Sequence, residues 1–395
     1  MATCFKAASL YHNGFDALHV DGGVTVKSNQ KLSVSNGQNI REKKYMKGRR
    51  KRSTRGIIIL GAVLFLALTS TIGAAALYYN HLLNKISYIQ PHQESFDPNL
   101  KPGDLNDPTD PTETPTPRIT ESGETTTAAP ATTPATTVDW ASKYDVSGVP
   151  VMSDPNVQNI LLIGSDSNSS MDYSRSDTNI IVSINKKAGT LRMVSILRDT
   201  GVIIPGRTDG VDKINHSYSY GGPRLLMDTI EANFRIHIDN YIAVGFTGFA
   251  SIISSIGGLD IELTADEAKE MGLKPGLQHL DGTYTEWYVR LRKFDSDFQR
   301  TTRQRHVLEL VMQKARGMSV VGLPSLLEKI LPQVSTGLTR GEMSSLLLSA
   351  PSMLKYPLTQ SSLPVSGTYI SIDYTFYFND LMANVRHIQQ FLYNR

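Results

Sequence analysis

Two clusters of charged residues between positions 166 and 305 of this 395-residue chain have the types and spacing for work on phosphate. The first gathers at the ends of three short apolar runs. Asp166 follows the run 159–164, Arg175-Ser176-Asp177-Thr178 opens the run 178–184, and Arg198-Asp199 closes the run 190–197. Strand ends and the loops beyond them are where layered α/β domains bind ligands. Asp166, Asp177 and Asp199 beside Arg175 and Arg198 would make a poor core. Carboxylates so placed can hold a hard divalent cation, and Mg²⁺ takes one or two of them together with phosphate oxygens. The same residues also fit turn caps and surface ion pairs, and these segments alone leave both readings open.

The second cluster is denser. Residues 288–305 read YVRLRKFDSDFQRTTRQR. Arg290 and Arg292 are two apart on an expected strand, so they project from one face. Arg300 and Arg303 share a helix face at i, i+3, and Gln304 is adjacent. Guanidinium forks match phosphate oxygens two at a time, and paired forks suit a diphosphate. The alternative is a solvated helix face with Asp295 and Asp297 as ion-pair partners. Lys213 and Asn215 stand near the strand ends, where contact with phosphate or sugar competes with a turn role. Of the nine histidines, the five within 145–395 (His216, His237, His279, His306 and His387) lack zinc spacing. Trp287 and Tyr288 could stack on sugar or prenyl chain, with core packing as the plainer alternative.

These residues need a scaffold. The runs 159–164, 178–184, 190–197, 241–246 and 259–263 read as strands, and 223–234, 248–256, 301–316, 322–331, 340–354 and 379–393 as helices. Strands alternating with amphipathic helices give a layered α/β domain over 145–395.

Upstream the chain changes character. Residues 56–79 carry no charge over 24 positions, enough for a transmembrane helix across ~30 Å of hydrocarbon. Nine Lys/Arg lie in 41–55, against Lys85 alone in 80–100, which keeps the N-terminus cytoplasmic and sends the rest outside. The length before this run, and its own length, favour an uncleaved anchor over a signal peptide. Residues 1–55 form a loosely ordered basic tail of net charge +9, so the whole-chain value of +3 leaves −6 for everything after it. That distribution argues against nucleic-acid binding by the folded part. Twelve Thr and eight Pro among 98–137 mark 80–144 as an extended spacer. The single cysteine, Cys4, excludes a disulfide framework, a Cys-rich metal site and a cysteine nucleophile in the folded part.

With RSDT at 175–178, Arg198-Asp199, Lys213-Ile214-Asn215, Gly221-Gly222, Gly257-Gly258-Leu259, Leu280-Asp281-Gly282, Arg290-Leu291-Arg292, and Asp297 to Arg300 with Arg303-Gln304, the chain resembles the LytR-CpsA-Psr family over about 159–316. Leu197 stands where proline is common, Gln299 replaces a frequent glycine, and Thr285-Glu286 replaces Ala-Leu. The region after about residue 320 is not covered.

The resemblance implies a layered α-β-α domain with a central mixed sheet, anchored in the cell membrane. It implies an enzyme that attaches glycopolymers such as teichoic acid or capsule to peptidoglycan. A polyprenyl diphosphate-linked glycan would lie with its diphosphate among Arg175, Arg198, Arg290, Arg292, Arg300 and Arg303, assisted by Gln304 and Lys213. Its lipid tail would occupy an apolar tunnel that helices 301–316 and 322–354 could help to line. Asp166 and Asp177 would hold Mg²⁺ (or Mn²⁺), with Asp199 and Arg198 as catalytic residues. Asp199 could serve as base, orient Arg198, or bind metal through water. The acceptor hydroxyl would form a phosphodiester, and water in its place would give pyrophosphatase activity. A non-catalytic polyprenyl-phosphate receptor or a membrane-bound regulator is the competing expectation. The regulator is disfavoured, because the tail shows no helix-turn-helix pattern.

Overall fold

The computed structural model of the chain describes residue 74 and residues 76–88, 143–166, 175–208, 210–291, 297–317 and 322–394, the side chains of 322–325 excepted. They belong to one compact unit, Thr69–Arg395. The predicted spanning segment lies mostly outside them, as do Arg292, Asp295 and the Thr/Pro-rich stretch. Among the described residues no helix is long and apolar enough to cross a membrane.

The Ile- and Val-rich runs form strands: β2 Val157–Ser165, β3 Ser176–Asn185 and β4 Thr190–Ile196. With β1 Ser87–Tyr88, β7 Asn240–Gly245, β10 Val334–Thr336 and β11 Leu358–Leu363 they build a seven-stranded sheet, ordered β1-β10-β7-β2-β3-β4-β11. β2 runs antiparallel to β3 and parallel to β7, so the sheet is mixed as expected. Both faces are covered, because alternate residues of a strand point to opposite sides. Leu161, Ile163, Ile181, Val194 and Ile196 pack on helices α1 Ile214–Phe234 and α8 Leu381–Tyr393. Ile160, Ile184 and Leu191 face the other way, against Met312 of α5 Asp297–Arg316 and Leu346 of α7 Arg340–Met353. Each such side chain taken fully from water contributes about 1.5–3 kcal/mol.

Beside this sheet sits a smaller core. It joins α2 Phe246–Ser255, the hairpin β8 Leu259–Leu263 with β9 Gly276–Leu280, the short α3 Ala265–Glu270 and α4 Gly282–Arg290. The run 259–263, expected as a sheet strand, therefore belongs to this separate hairpin.

Three elements depart from the sequence reading. α1 begins at Ile214 and not at Pro223, and its two segments meet at a kink where Gly222 has φ +63°. A left-handed φ of that kind favours glycine, and Pro223 then opens the second segment as proline does at a helix start. Residues 82–86, read as spacer, pack on the domain: Leu82, Leu83 and Ile86 are buried with Leu331, Leu338 and Met343. The stretch beyond residue 320 is integral to the fold, since β10, β11, the hairpin β12 Tyr369–Ile372 with β13 Thr375–Phe378, and α8 all come from it.

Candidate functional site

The turn after β4 carries the charged pair, and neighbouring chain fixes its backbone on several sides. Leu197 N–H donates to Leu363 O at 3.0 Å, and Asn215 N–H to Arg198 O at 3.2 Å. Ile214 N–H reaches Thr200 O at 2.8 Å, and Phe376 N–H reaches Asp199 O at 2.9 Å. β11, the start of α1 and β13 thus hold Arg198 and Asp199 just past the end of β4, beside the start of β3.

There the side chains converge. Arg198 donates from Nε to Asp199 Oδ2 at 3.1 Å and from Nη1 to Asp177 Oδ1 at 3.0 Å. Its Nε is also 3.8 Å from Asp297 Oδ1. Lys213 Nζ lies 3.0 Å from Asp199 Oδ1. Arg300 is buried, its Nη2 3.3 Å from Asp177 O and 3.7 Å from Asp297 Oδ1. Asp166 is next door at the end of β2, its Oδ1 accepting Arg175 N–H at 2.7 Å.

Packing alternating charges into a half-dry recess moves their titrations apart. Burial opposes the charge on Arg198, but Asp177, Asp199 and Asp297 together raise its pKa. Burial also pushes Asp199 upward, yet Arg198 and Lys213 outweigh it and hold the carboxyl below the usual range. Asp297 goes the other way: burial, joined by the neighbouring Asp199 carboxylate, raises it against the pull of Arg300 and Arg198. The two carboxyls titrate as a pair, Asp297 the more basic member. The sequence reading had Asp297 only as a helix-face partner, although its i, i+3 spacing to Arg300 already tied it to this helix start.

The arginine cluster does not assemble as read. Residues 288–290, expected to open a strand, are the end of α4: Asp281 caps that helix by accepting Tyr284 N–H at 2.9 Å, and Arg290 Nη1 pairs with Glu286 one turn back at 2.9 Å. Arg290 is therefore helical, and its expected strand partner Arg292 is outside the described residues. The Arg290 guanidinium covers the Phe246 ring at 4.3 Å. Arg303 points into the smaller core. Its Nε and Nη2 donate to Tyr288 O (3.1 Å) and Leu291 O (2.6 Å), and its Nη1 to Glu267 Oε1 (3.4 Å).

An apolar cavity of about 220 Å³ opens beside the charged end. Leu162, Ile180 and Ile242 of the sheet form one wall, Phe249 and Ile252 of α2 and Leu308 and Val311 of α5 the other. Phe246 and Gln304 line it, as do Gly164 and Thr178, each one or two residues from Asp166 or Asp177. Of the two helical stretches expected to line such a space, 301–316 does so, whereas among the described residues 322–354 gives only Val334. Among the described residues no group of three or more His, Cys, Asp or Glu forms a metal cluster. Asp166 and Asp177, carboxylates at neighbouring strand ends, still offer the hard oxygen donors that Mg²⁺ takes one or two at a time.

Known proteins share this organisation. The model of the LytR_cpsA_psr family matches residues 121–391. The polyisoprenyl-teichoic acid–peptidoglycan teichoic acid transferase TagV of Bacillus subtilis (strain 168) is 31% identical over 230 residues, which are 55% of this chain and 59% of TagV. TagU of Oceanobacillus iheyensis, named likewise, is 37% identical over 199 residues, 48% of this chain and 61% of the relative. The chain thus spans about three fifths of the length of these curated relatives. Among solved structures, TagT bound to LI-WTA superposes with a TM-score of 0.50 at 26% identity, covering 63% of this chain and 96% of that one. Protein gbs0355 from Streptococcus agalactiae, at 23% identity and a TM-score of 0.52, covers 60% of this chain and 88% of its own and shares the fold.

Proposed function

Because the chain belongs to the LytR_cpsA_psr family, we propose that it is a phosphotransferase at the extracellular face of the cell membrane. In this reading it moves a glycopolymer, of the teichoic acid kind named for its relatives, from a polyprenyl diphosphate carrier to a peptidoglycan sugar hydroxyl. The observation that carries the reading is one juxtaposition: Arg198, Arg300 and Lys213 at a sheet end whose next residues wall an apolar cavity. An ionic head joined to a long hydrocarbon needs both surfaces side by side. The carrier's tail fills the cavity, and its diphosphate meets the guanidiniums and Lys213, with Arg175 at the adjoining strand start.

The acceptor oxygen bonds to the sugar-linked phosphorus, the bond to polyprenyl phosphate breaks, and the hydroxyl proton passes to the Asp199–Asp297 pair. Asp297, the more basic of the two, retains it. Arg198, bridging Asp177 and Asp199, stays charged throughout and offsets charge developing on the phosphoryl oxygens. Asp166 and Asp177 would hold Mg²⁺, which when bound neutralises diphosphate charge. Arg303 is a positioning residue that fixes the helix bearing Arg300. The apolar segment 56–79 anchors the chain.

The test is Asp177→Ala in the full-length protein, supplied with a polyprenyl diphosphate-linked glycan and peptidoglycan. Turnover should fall by at least ~10²-fold, as on loss of one stabilising group in other polar sites, while binding of polyprenyl monophosphate persists. Turnover equal to wild type would reject the catalytic reading in favour of a polyprenyl-phosphate receptor.

A further inference from the structure

Lysine is an unusual residue from which to start a long helix. The 21-residue α1 begins at Lys213, whose side chain makes no capping bond, and no acid stands in its first turn. Helix starts ordinarily use Ser, Thr, Asp or Asn, whose oxygens take the free N–H groups, and the positive end of the helix dipole disfavours an ammonium. Here the turn after β4 supplies the cap, with Ile214 N–H donating to Thr200 O and Asn215 N–H to Arg198 O. The Lys213 side chain is left for Asp199, its Nζ 3.0 Å from Oδ1. It is turned inward, 24% exposed, against a carboxylate that is 5% exposed.

The residue before it makes the brace. Asp212, on β6 Val211–Lys213, accepts the Lys213 backbone N–H on Oδ1 at 2.7 Å. His216 Nδ1 lies 2.8 Å from the same oxygen, and Tyr220 donates its hydroxyl to Oδ2 at 2.8 Å. His216 and Tyr220 follow Asp212 at i+4 and i+8, so one carboxylate ties the strand to the first two turns of the helix. Both are buried, and His216 also meets the Tyr220 ring edge-on. Burial pushes the Asp212 carboxyl upward, but His216, Tyr220 and the Lys213 amide outweigh it and hold it below the usual range. On the other side β6 pairs with β5 Gly201–Ile203, placing Lys213 opposite Gly201, two residues past Asp199.

We propose that Asp212 is the positioning residue of Lys213: it fixes the backbone from which the ammonium reaches Asp199 and, with both oxygens engaged, leaves that ammonium to Asp199 and the donor. The inference rests on the transferase reading above and names the group that sets Lys213 against the diphosphate. A bare carboxylate one residue away would compete for a flexible, strongly hydrated ammonium. Displacing a group of the site by about 1 Å is enough to lower turnover severely.

The test uses the full-length protein with a polyprenyl diphosphate-linked glycan and peptidoglycan. Asp212→Ala should lower donor kcat/KM by about ten- to a hundredfold and leave the acceptor KM unchanged. Asp212→Asn keeps an oxygen for the Lys213 N–H and an amide for the Tyr220 oxygen, and should restore most of the loss. In a Lys213→Met background Asp212→Ala should cost nothing further, since the two act as one unit. Equal losses in the Asn and Ala variants, or losses that multiply in the double variant, overturn the proposal. Acetylation by acetic anhydride, followed at each lysine by mass spectrometry, needs no turnover. Lys213 should label slowly in wild type beside the exposed Lys186 and Lys187, and several-fold faster in Asp212→Ala with those two unchanged. Unaltered labelling of Lys213 overturns the proposal whatever the activity. If Asp212→Ala does not fold, Asp212→Ser, which loses the ties to His216 and Tyr220, should move both readouts the same way to a smaller extent; no movement in either is equally decisive. A wild type without turnover that keeps this labelling pattern fails the transferase reading alone.

Discussion

Replacing Arg303 by methionine separates anchoring from ligand binding. Sequence spacing puts Arg303 with Arg300 as a diphosphate ligand, whereas the structure ties it to Glu267, Tyr288 and Leu291. Removing the guanidinium strands the buried Glu267, and breaking a buried ion pair from one side costs about 3–5 kcal/mol. The lower end applies, because Glu267 Oε2 keeps the N–H and hydroxyl of Thr264, both at 3.0 Å. Tyr288 O keeps the Leu291 N–H at 3.4 Å, so the loss falls on the Leu291 carbonyl and adds about 1 kcal/mol, partly offset by the apolar methionine stem. A net loss of about 3–4 kcal/mol should lower Tm by roughly 6–16 °C. Thermal unfolding by circular dichroism measures it. Donor KM, assayed below the variant's melting range, should stay within about twofold of wild type, since uniform binding would be untouched. Arg303→Lys should recover part of the Tm. A variant with wild-type Tm and donor binding weakened a hundredfold would refute the assignment of Arg303 to the scaffold.

The remaining predictions concern the acid pair, the cavity and the kink. Asp297 has a raised pKa in the fold, so its stabilising contribution is present below the ordinary aspartate value of ~3.9 and is lost as pH rises through the raised value. Asp199, depressed, contributes stability above that ordinary value and loses it as pH falls. Asp297→Asn should therefore gain Tm relative to wild type as pH climbs from about 4, levelling once wild-type Asp297 is ionised; parallel curves would contradict the coupling. Leu308→Trp should exclude at least two methylenes of lipid at about 0.8 kcal/mol each, raising the KM for a long-chain donor about tenfold and sparing a short-chain one. Equal effects on both chains would move the tail elsewhere. Gly222→Ala should cost about 1–2 kcal/mol, seen as a Tm drop of ~2–8 °C, because alanine must adopt a φ of +63°.

Much of the scaffold was legible in the chain. The runs of Ile and Val at β2, β3 and β4 declare buried strands, and Asp177, Arg198 and Asp199 at the ends of β3 and β4 do meet. What was not legible has physical causes. The segment 288–292 alternates Arg and Leu like a strand, but the backbone of 288–290 is committed to a helix that Asp281 caps seven residues before Tyr288. INHSYSY at the head of α1 has no apolar stripe, so its burial is dictated by tertiary packing alone. LTQSSL in β11 is a polar edge strand recognisable only beside β4. Spacing of i, i+3 shows that Arg300 and Arg303 share a face of α5. It is silent on α3 and α4 lying over one of them.

The order of the chain has a consequence for how the site forms. β11 pairs with β4 along its whole length from Leu358 to Leu363, and Phe376 holds the Asp199 carbonyl. While a ribosome still shields residues 356–395, the nascent polypeptide has the charged groups of the site and the start of α1, but neither of the strands that pin the turn from the other side. The turn takes its final shape only once those two strands have emerged and docked.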